Sequence, residues 1–92
     1  MGHTVELEVK RMARLDGDGT VKAFCDVAIN GSFIIKSLKV VNGKNGLFVG
    51  MPREQGKNGQ WYDTVSPLTP AAKERLAHVV LEAYSEKEPS GA

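Results

Sequence analysis

A chain of 92 residues has room for one domain, which excludes a dinucleotide-binding fold, an eight-stranded α/β barrel or a kinase. Its 12 basic and 11 acidic side chains leave a net charge of +1, so any grip on nucleic acid must come from a local basic patch. Cys25 is the only cysteine, which excludes an internal disulfide or a cysteine zinc cluster and suits a reducing cytoplasm.

Met1-Gly2-His3-Thr4 leads straight into alternating valine and glutamate with no secretory pattern, and no apolar run approaches the ~20 residues of a membrane helix. A cytoplasmic protein with no membrane partner is expected. Val5, Leu7 and Val9 alternate with Glu6, Glu8 and Lys10, the period of a half-buried strand. Asp16-Gly17-Asp18-Gly19 reads as a turn, and Val21, Ala23, Cys25, Val27 and Ile29 then alternate as a second strand, with the Cys25 thiol buried and inert. Asn30-Gly31 is the strongest hairpin signal in the chain. The third strand runs from about Ser32 to Val41. Its apolar set changes parity, from Phe33 and Ile35 to Leu38 and Val40, and one β-bulge near Lys36-Ser37 would return both halves to one face.

Asn42 to Gly46 is a further turn, and Leu47, Phe48, Val49 and Met51 form a short apolar strand ended by Pro52. Residues 53–60 carry no large apolar group and two glycines, which predicts a mobile loop. Trp61 to Val65 reads as a last short strand. Thr69 then caps a helix that opens on Pro70 and carries Ala72, Leu76, Val79, Val80, Ala83 and Tyr84 on one stripe. Pro89 and Gly91 end it by about Lys87, and the tail beyond should fray. The expectation is a single α+β domain over residues 1–92, with its core at about 4–86. A small antiparallel sheet of about five strands packs one C-terminal amphipathic helix. The unpaired edges of the short strand at Leu47, Phe48 and Val49 invite pairing with a second copy, hence a homodimer.

Catalytic signals are absent from the sequence. His3 is terminal and His78 lies beside the apolar stripe, too far apart for a zinc set. Asp16 and Asp18 belong to a turn rather than to a twelve-residue calcium loop. Gly43-Lys44-Asn45-Gly46 lacks the spacing of a phosphate loop. No enzyme activity, cofactor or metal is expected. The one constellation that suggests a ligand is basic. Arg53 and Lys57 lie on the loop after Pro52 and Lys73 and Arg75 near the helix start, where the dipole and free N–H groups add to them. Such a cluster could hold phosphates. Gln55 and Asn58 could reach base edges and Trp61 and Tyr62 could stack on bases. The ordinary alternatives are a Trp61 buried in the core or a dimer interface, and solvated Lys73 and Arg75.

Gly46-Leu47-Phe48-Val49-Gly50-Met51-Pro52 resembles the signature segment of the stage V sporulation protein G (SpoVG) family. The resemblance runs back through Phe33-Ile34-Ile35 and Val40 to Asn45. It runs forward through Trp61-Tyr62-Asp63, Ser66-Pro67 and the helix, covering about residues 4 to 85. It implies a dimeric cytoplasmic regulator linked to sporulation, asymmetric septation and cell division. It also implies DNA or RNA binding through basic residues after Met-Pro and at the helix start, which here are Arg53, Lys57, Lys73 and Arg75. Family members commonly carry adjacent basic residues soon after Met-Pro, whereas Arg53 is followed by Glu54-Gln55. Two readings stand: a nucleic-acid-binding regulator, and a protein-interaction module in septation or sporulation that binds no nucleic acid directly.

Overall fold

The structure, a computed structural model, describes residues 5–86. His3, the fraying tail and the helix-ending Pro89 and Gly91 lie outside them. The elements are β1 (Leu7–Arg14), β2 (Val21–Ile29), β3 (Phe33–Gly43), β4 (Gly46–Gly50), β5 (Arg53–Gln55), β6 (Trp61–Asp63) and α1 (Pro70–Ser85). The first four form an antiparallel meander in the order β1-β2-β3-β4, and β5 and β6 form a separate two-stranded ribbon.

The alternation in β2 and β3 places Ala23, Cys25, Val27, Leu38 and Val40 on one face, fully buried under Leu76 and Val80 of α1. Leu7, Val9 and Met12 from β1, Ile35 from β3 and Val49 from β4 widen this layer. The parity change in β3 is a bulge. Cys25 pairs with Leu38 and Val27 with Ile35, so Asp26 alone stands opposite Lys36 and Ser37. Ser37 takes a φ of 70°, and its N–H donates to Asp26 Oδ1 at 3.2 Å. Further register shifts leave Lys10 of β1 and Lys22 of β2 as extra residues. Each bulge bends its strand and adds twist. The sheet curls accordingly: both edge strands, β1 and β4, approach the helix more closely than the central β2 and β3.

Turn chemistry accounts for the connections. Asn30 and Gly31 both adopt positive φ, 52° and 67°, as a tight hairpin turn needs, and the Ser32 N–H closes on the Ile29 carbonyl at 2.9 Å. Asn30 also extends the β1–β2 ladder. Its backbone N–H donates to the Glu6 carbonyl, and its Oδ1 accepts the Glu6 N–H, both at 2.8 Å. At Gly43 the absent side chain matters: a Cβ there would stand 2.9 Å from the Phe48 ring, which lies against that glycine.

The helix is tied at its end to β1 and at its start to the residue stretch just before β1. At its start Thr69 Oγ1 accepts the Ala72 N–H at 3.1 Å, the expected cap. Arg75 Nε donates to the Val5 carbonyl at 2.9 Å. At its end no basic residue of the last turn faces the exposed carbonyls. Arg14, from the end of β1, takes that place. Its guanidinium donates to the carbonyls of Ala83 (3.1 Å), Tyr84 (2.8 Å) and Glu86 (2.8 Å) and lies 5.5 Å from the Tyr84 ring centroid. A cation there satisfies orphan acceptors and complements the helix dipole.

Two expectations need correction. Residues 53–60 are not an irregular loop but β5 and the turn leading to β6. The missing signal was hydrophobic alternation: β5 reads Arg-Glu-Gln, and side-chain hydrogen bonds rather than burial hold it. The last strand, read from Trp61 to Val65, stops at Asp63 and does not join the main sheet, so the described residues hold six strands in two sheets.

Candidate nucleic-acid interface

The β5–β6 ribbon leaves the body at Pro52. Thr64 closes its neck, with its N–H and hydroxyl both on the Pro52 carbonyl at 2.9 and 3.2 Å. Arg53 pairs with Asp63, Glu54 with Tyr62 and Gln55 with Trp61. Since successive side chains alternate faces, Arg53, Gln55, Trp61 and Asp63 share one side and Glu54 and Tyr62 the other. The ribbon packs against none of the other strands, nor against the helix.

Beside the ribbon's base lies an open groove of about 850 Å³. Lys39 of β3, Arg53 of β5 and Lys73 of α1 line it, together with Asp63, Phe48 and Thr69. Three elements thus bring three cations to one depression. Lys39 stands opposite Gly50 in the ladder, and a Cβ at Gly50 would be 3.7 Å from the Lys39 Cβ, so the missing side chain leaves that cross-strand space to Lys39. Arg53 Nε lies 3.3 Å from Asp63 Oδ1, and its Nη2 donates to the Trp61 carbonyl at 3.4 Å. Both partners are about half exposed, so this pair orients the guanidinium more than it stabilises the fold. Lys73 sits in the first turn of the helix, its N–H on the Thr69 carbonyl at 3.1 Å, and no acidic side chain occupies that turn to offset the positive end of the dipole.

Of the four cations singled out in the sequence, the structure brings Arg53 and Lys73 to this groove. Lys57 sits in the turn at the ribbon's tip, exposed and outside the groove lining. Arg75 lines a different cavity, next to Val5. Lys39 was missed. Nothing in the local sequence singles it out, and what marks it is its ladder position opposite Gly50.

The amides have local work. Gln55 Nε2 donates to the Gly59 carbonyl at 3.1 Å, and Asn58 Nδ2 donates to the Tyr62 hydroxyl at 2.9 Å. Asn58 Oδ1 accepts the Gln60 N–H at 3.0 Å, and the Tyr62 hydroxyl donates to Gln60 Oε1 at 3.2 Å. A base edge would have to displace one of these bonds. Trp61 and Tyr62 are 53% and 48% exposed, so Trp61 is no core residue of this chain, and they face opposite sides of the ribbon rather than forming one platform. Along β4, Leu47 and Phe48 are exposed while Val49 packs on the core. His78 is exposed, with its Nε2 3.8 Å from Glu82 Oε1. Among the described residues no three potential metal ligands converge, and no helix is long and apolar enough to cross a membrane.

Comparison with known proteins gives this arrangement its family. A protein from Archaeoglobus fulgidus named "Putative septation protein SpoVG" is 37% identical over 83 residues, which cover 90% of this chain and 98% of that protein. A protein of the same name from Desulforudis audaxviator is 39% identical over 74 residues, 80% of this chain and 83% of the relative. "Putative septation protein SpoVG 1" of Listeria monocytogenes is 32% identical over 80 residues, 87% of this chain and 78% of that one. The SpoVG family profile matches residues 4–86, so the chain belongs to the SpoVG family.

Proposed function

We propose that this protein is a nucleic-acid-binding regulator linked to septation, sporulation and cell-division control, holding DNA or RNA by its phosphates. The observation that carries the reading is the convergence of Lys39, Arg53 and Lys73 on one groove beside an uncompensated helix start. In a chain of net charge +1 that is a local patch of the kind a phosphate backbone needs. Lys57 at the ribbon tip adds a fourth cation within reach of a longer strand, and the exposed face of Trp61 supplies a stacking surface. The helix packs its Leu76 and Val80 stripe on the sheet, so it is not free to act as a recognition helix, and sequence preference should be modest. The septation link rests on the names of the relatives.

The proposal includes pairing of two chains. Among the described residues β4 is an edge of the sheet with no neighbour on its outer side, and Leu47 and Phe48 lie exposed along it. A dimer would present two grooves. With about six cations neutralising phosphates on duplex DNA, the log–log salt slope of affinity should be near −5. The test is a titration of wild type and the double variant Arg53→Ala/Lys73→Ala with duplex DNA and RNA at about 50 and 200 mM salt. Circular dichroism serves as the folding control and sedimentation reads the oligomeric state. A flatter slope and uniformly weaker binding in the variant support the reading. Equal affinities, or binding indifferent to salt, would move it to the second one.

That second reading is a protein-interaction module, and one observation favours it. Phe33 and Ile34, 74% and 47% exposed, form an apolar pair at the start of β3. Six residue steps along the strand take β3 from Phe33 to Lys39 in the groove, roughly 20 Å. A partner protein could dock there without touching the cations.

A further inference from the structure

A second cavity, of about 560 Å³, opens between the start of β1, the near ends of β2 and β3, and the first half of α1. Its walls are apolar: Leu7, Ile29, Ile35, Met51, Val65 and Leu76. No acidic side chain lines it, and its one charged group is Arg75. Arg75 Nε is spent on the Val5 carbonyl at 2.9 Å, which fixes the plane of the guanidinium. Its two terminal nitrogens have no partner among the described residues. Glu6 and Glu8 line a separate depression that Arg75 also borders, but neither forms an ion pair with it. Ala71 contributes to the wall, and among the described residues its backbone N–H has no acceptor, because the Thr69 cap serves Ala72 instead.

We infer that this cavity binds a small amphipathic carboxylate, with the hydrocarbon body against the apolar walls and the carboxylate on Arg75. The volume falls in the range of small-molecule sites, and a mostly apolar lining with one convergent polar anchor is their usual chemistry. A guanidinium with a pinned plane and two open N–H edges matches a planar carboxylate in two parallel hydrogen bonds. The site is distinct from the cationic groove, where three cations and an aspartate meet around a more polar lining. It assigns Arg75 a ligand of its own instead of a place in the phosphate-binding set.

The test uses the full chain at pH 7 and follows backbone amide NMR signals during titration with octanoate, octan-1-ol and acetate. Octanoate should give saturable shifts centred on Leu7, Ile35, Val65 and Leu76. Acetate lacks the apolar body and octanol the charge, so each should bind at least about tenfold more weakly, as expected for loss of a charge-assisted contact or of buried apolar area. Arg75→Gln should erase the preference for octanoate over octanol, and Arg75→Lys should keep part of it. Ala72→Leu, which grows into the cavity from an exposed helix position, should weaken both ligands together. Equal binding of octanol and octanoate by wild type would overturn the proposal. So would shifts centred on Phe33 or Phe48, or no saturable shift up to about 5 mM octanoate, below which even millimolar binding would register.

Discussion

The body of the molecule and its β5–β6 ribbon are built on different physics. In the body, side chains from β2, β3 and α1 are removed from water altogether, and polar contacts only trim the ends of elements. In the ribbon nothing is fully buried. Six strand residues and a turn are held by ladder bonds and by the Gln55, Asn58, Gln60 and Tyr62 network, all of it solvent-exposed. Burial is cooperative, since each apolar group covers its neighbours. A wet hydrogen-bond network exchanges one partner for water at little net cost. The body should therefore open only globally, and the ribbon locally and often.

The comparison breaks most sharply at Leu38 and Cys25, which pair across β2 and β3 at the centre of the core. Leu38→Ala should cost ~2–5 kcal/mol, while Trp61→Ala on the ribbon should change global stability by ~0.5 kcal/mol or less. Chemical denaturation of both variants checks this, and comparable losses would mean that the ribbon belongs to the cooperative unit. Cys25 provides a second readout. Burial, with the Asp26 charge adding a smaller push, raises its thiol from 9.0 to about 11. A thiol reagent at about pH 8 should thus react with the native protein at least ~10³-fold more slowly than with the unfolded chain, and Leu38→Ala should restore much of that rate. The pH dependence has a definite sign. Below pH 9 the thiol is protonated folded or unfolded and contributes no slope. Between 9 and about 11 the unfolded chain releases the proton first, so stability should fall as pH rises through that window.

Next in size is Arg14. Arg14→Ala removes one guanidinium from three carbonyls at the end of α1 and from the Tyr84 ring. A loss of ~1–3 kcal/mol is expected, with earlier exchange of the amides in the last helical turn. Arg14→Lys should recover only part, because the shorter-reaching ammonium loses the planar guanidinium that lies over the Tyr84 ring. A variant as stable as wild type would show that the helix end is held by the core alone. Asp26→Ala should cost about 1 kcal/mol, by removing the acceptor that steadies Ser37 in a left-handed conformation. Asp26→Ala/Ser37→Gly should regain most of it.

The same contrast explains what could be read from the sequence. The four strands of the main sheet, the bulge at Lys36-Ser37 and the capped helix were legible because burial writes a period into the chain, although a fifth strand was expected beside them. At the bulge even the break in that period carried information. The ribbon was illegible because Arg-Glu-Gln has no apolar period, and glycines at 56 and 59 mark a turn in a hairpin as readily as in a loop. Arg14 was illegible for another reason: its partners are backbone carbonyls 69 to 72 residues away, and no local pattern announces a helix end capped from a strand. The candidate groove was half legible. Arg53 and Lys73 stood out as cations near a loop and a helix start, but only the folded chain brings Lys39 to them and turns Arg75 to a different cavity.

The smallest effect expected is the most direct test of the ribbon's independence. Tyr62 packs its ring over Gly56, where a Cβ would stand 2.8 Å from Cε2, and its hydroxyl links Asn58 to Gln60. Tyr62→Phe keeps the ring and removes only the hydroxyl, from an exposed site where water can replace both bonds. Global stability should change by no more than a few tenths of a kcal/mol, about the limit of a denaturation experiment. Hydrogen exchange resolves what denaturation cannot. The Gly56 N–H bonds to the Gln60 carbonyl and the Gly59 N–H to the Gly56 carbonyl, so the protection of both reports opening of the tip. Tyr62→Phe should speed exchange at these two amides and leave Cys25 and Leu38 unchanged, since no strand or helix of the body packs on the ribbon. Faster exchange at Cys25 or Leu38 in this variant would couple the ribbon to the core and erase the contrast between the two regions.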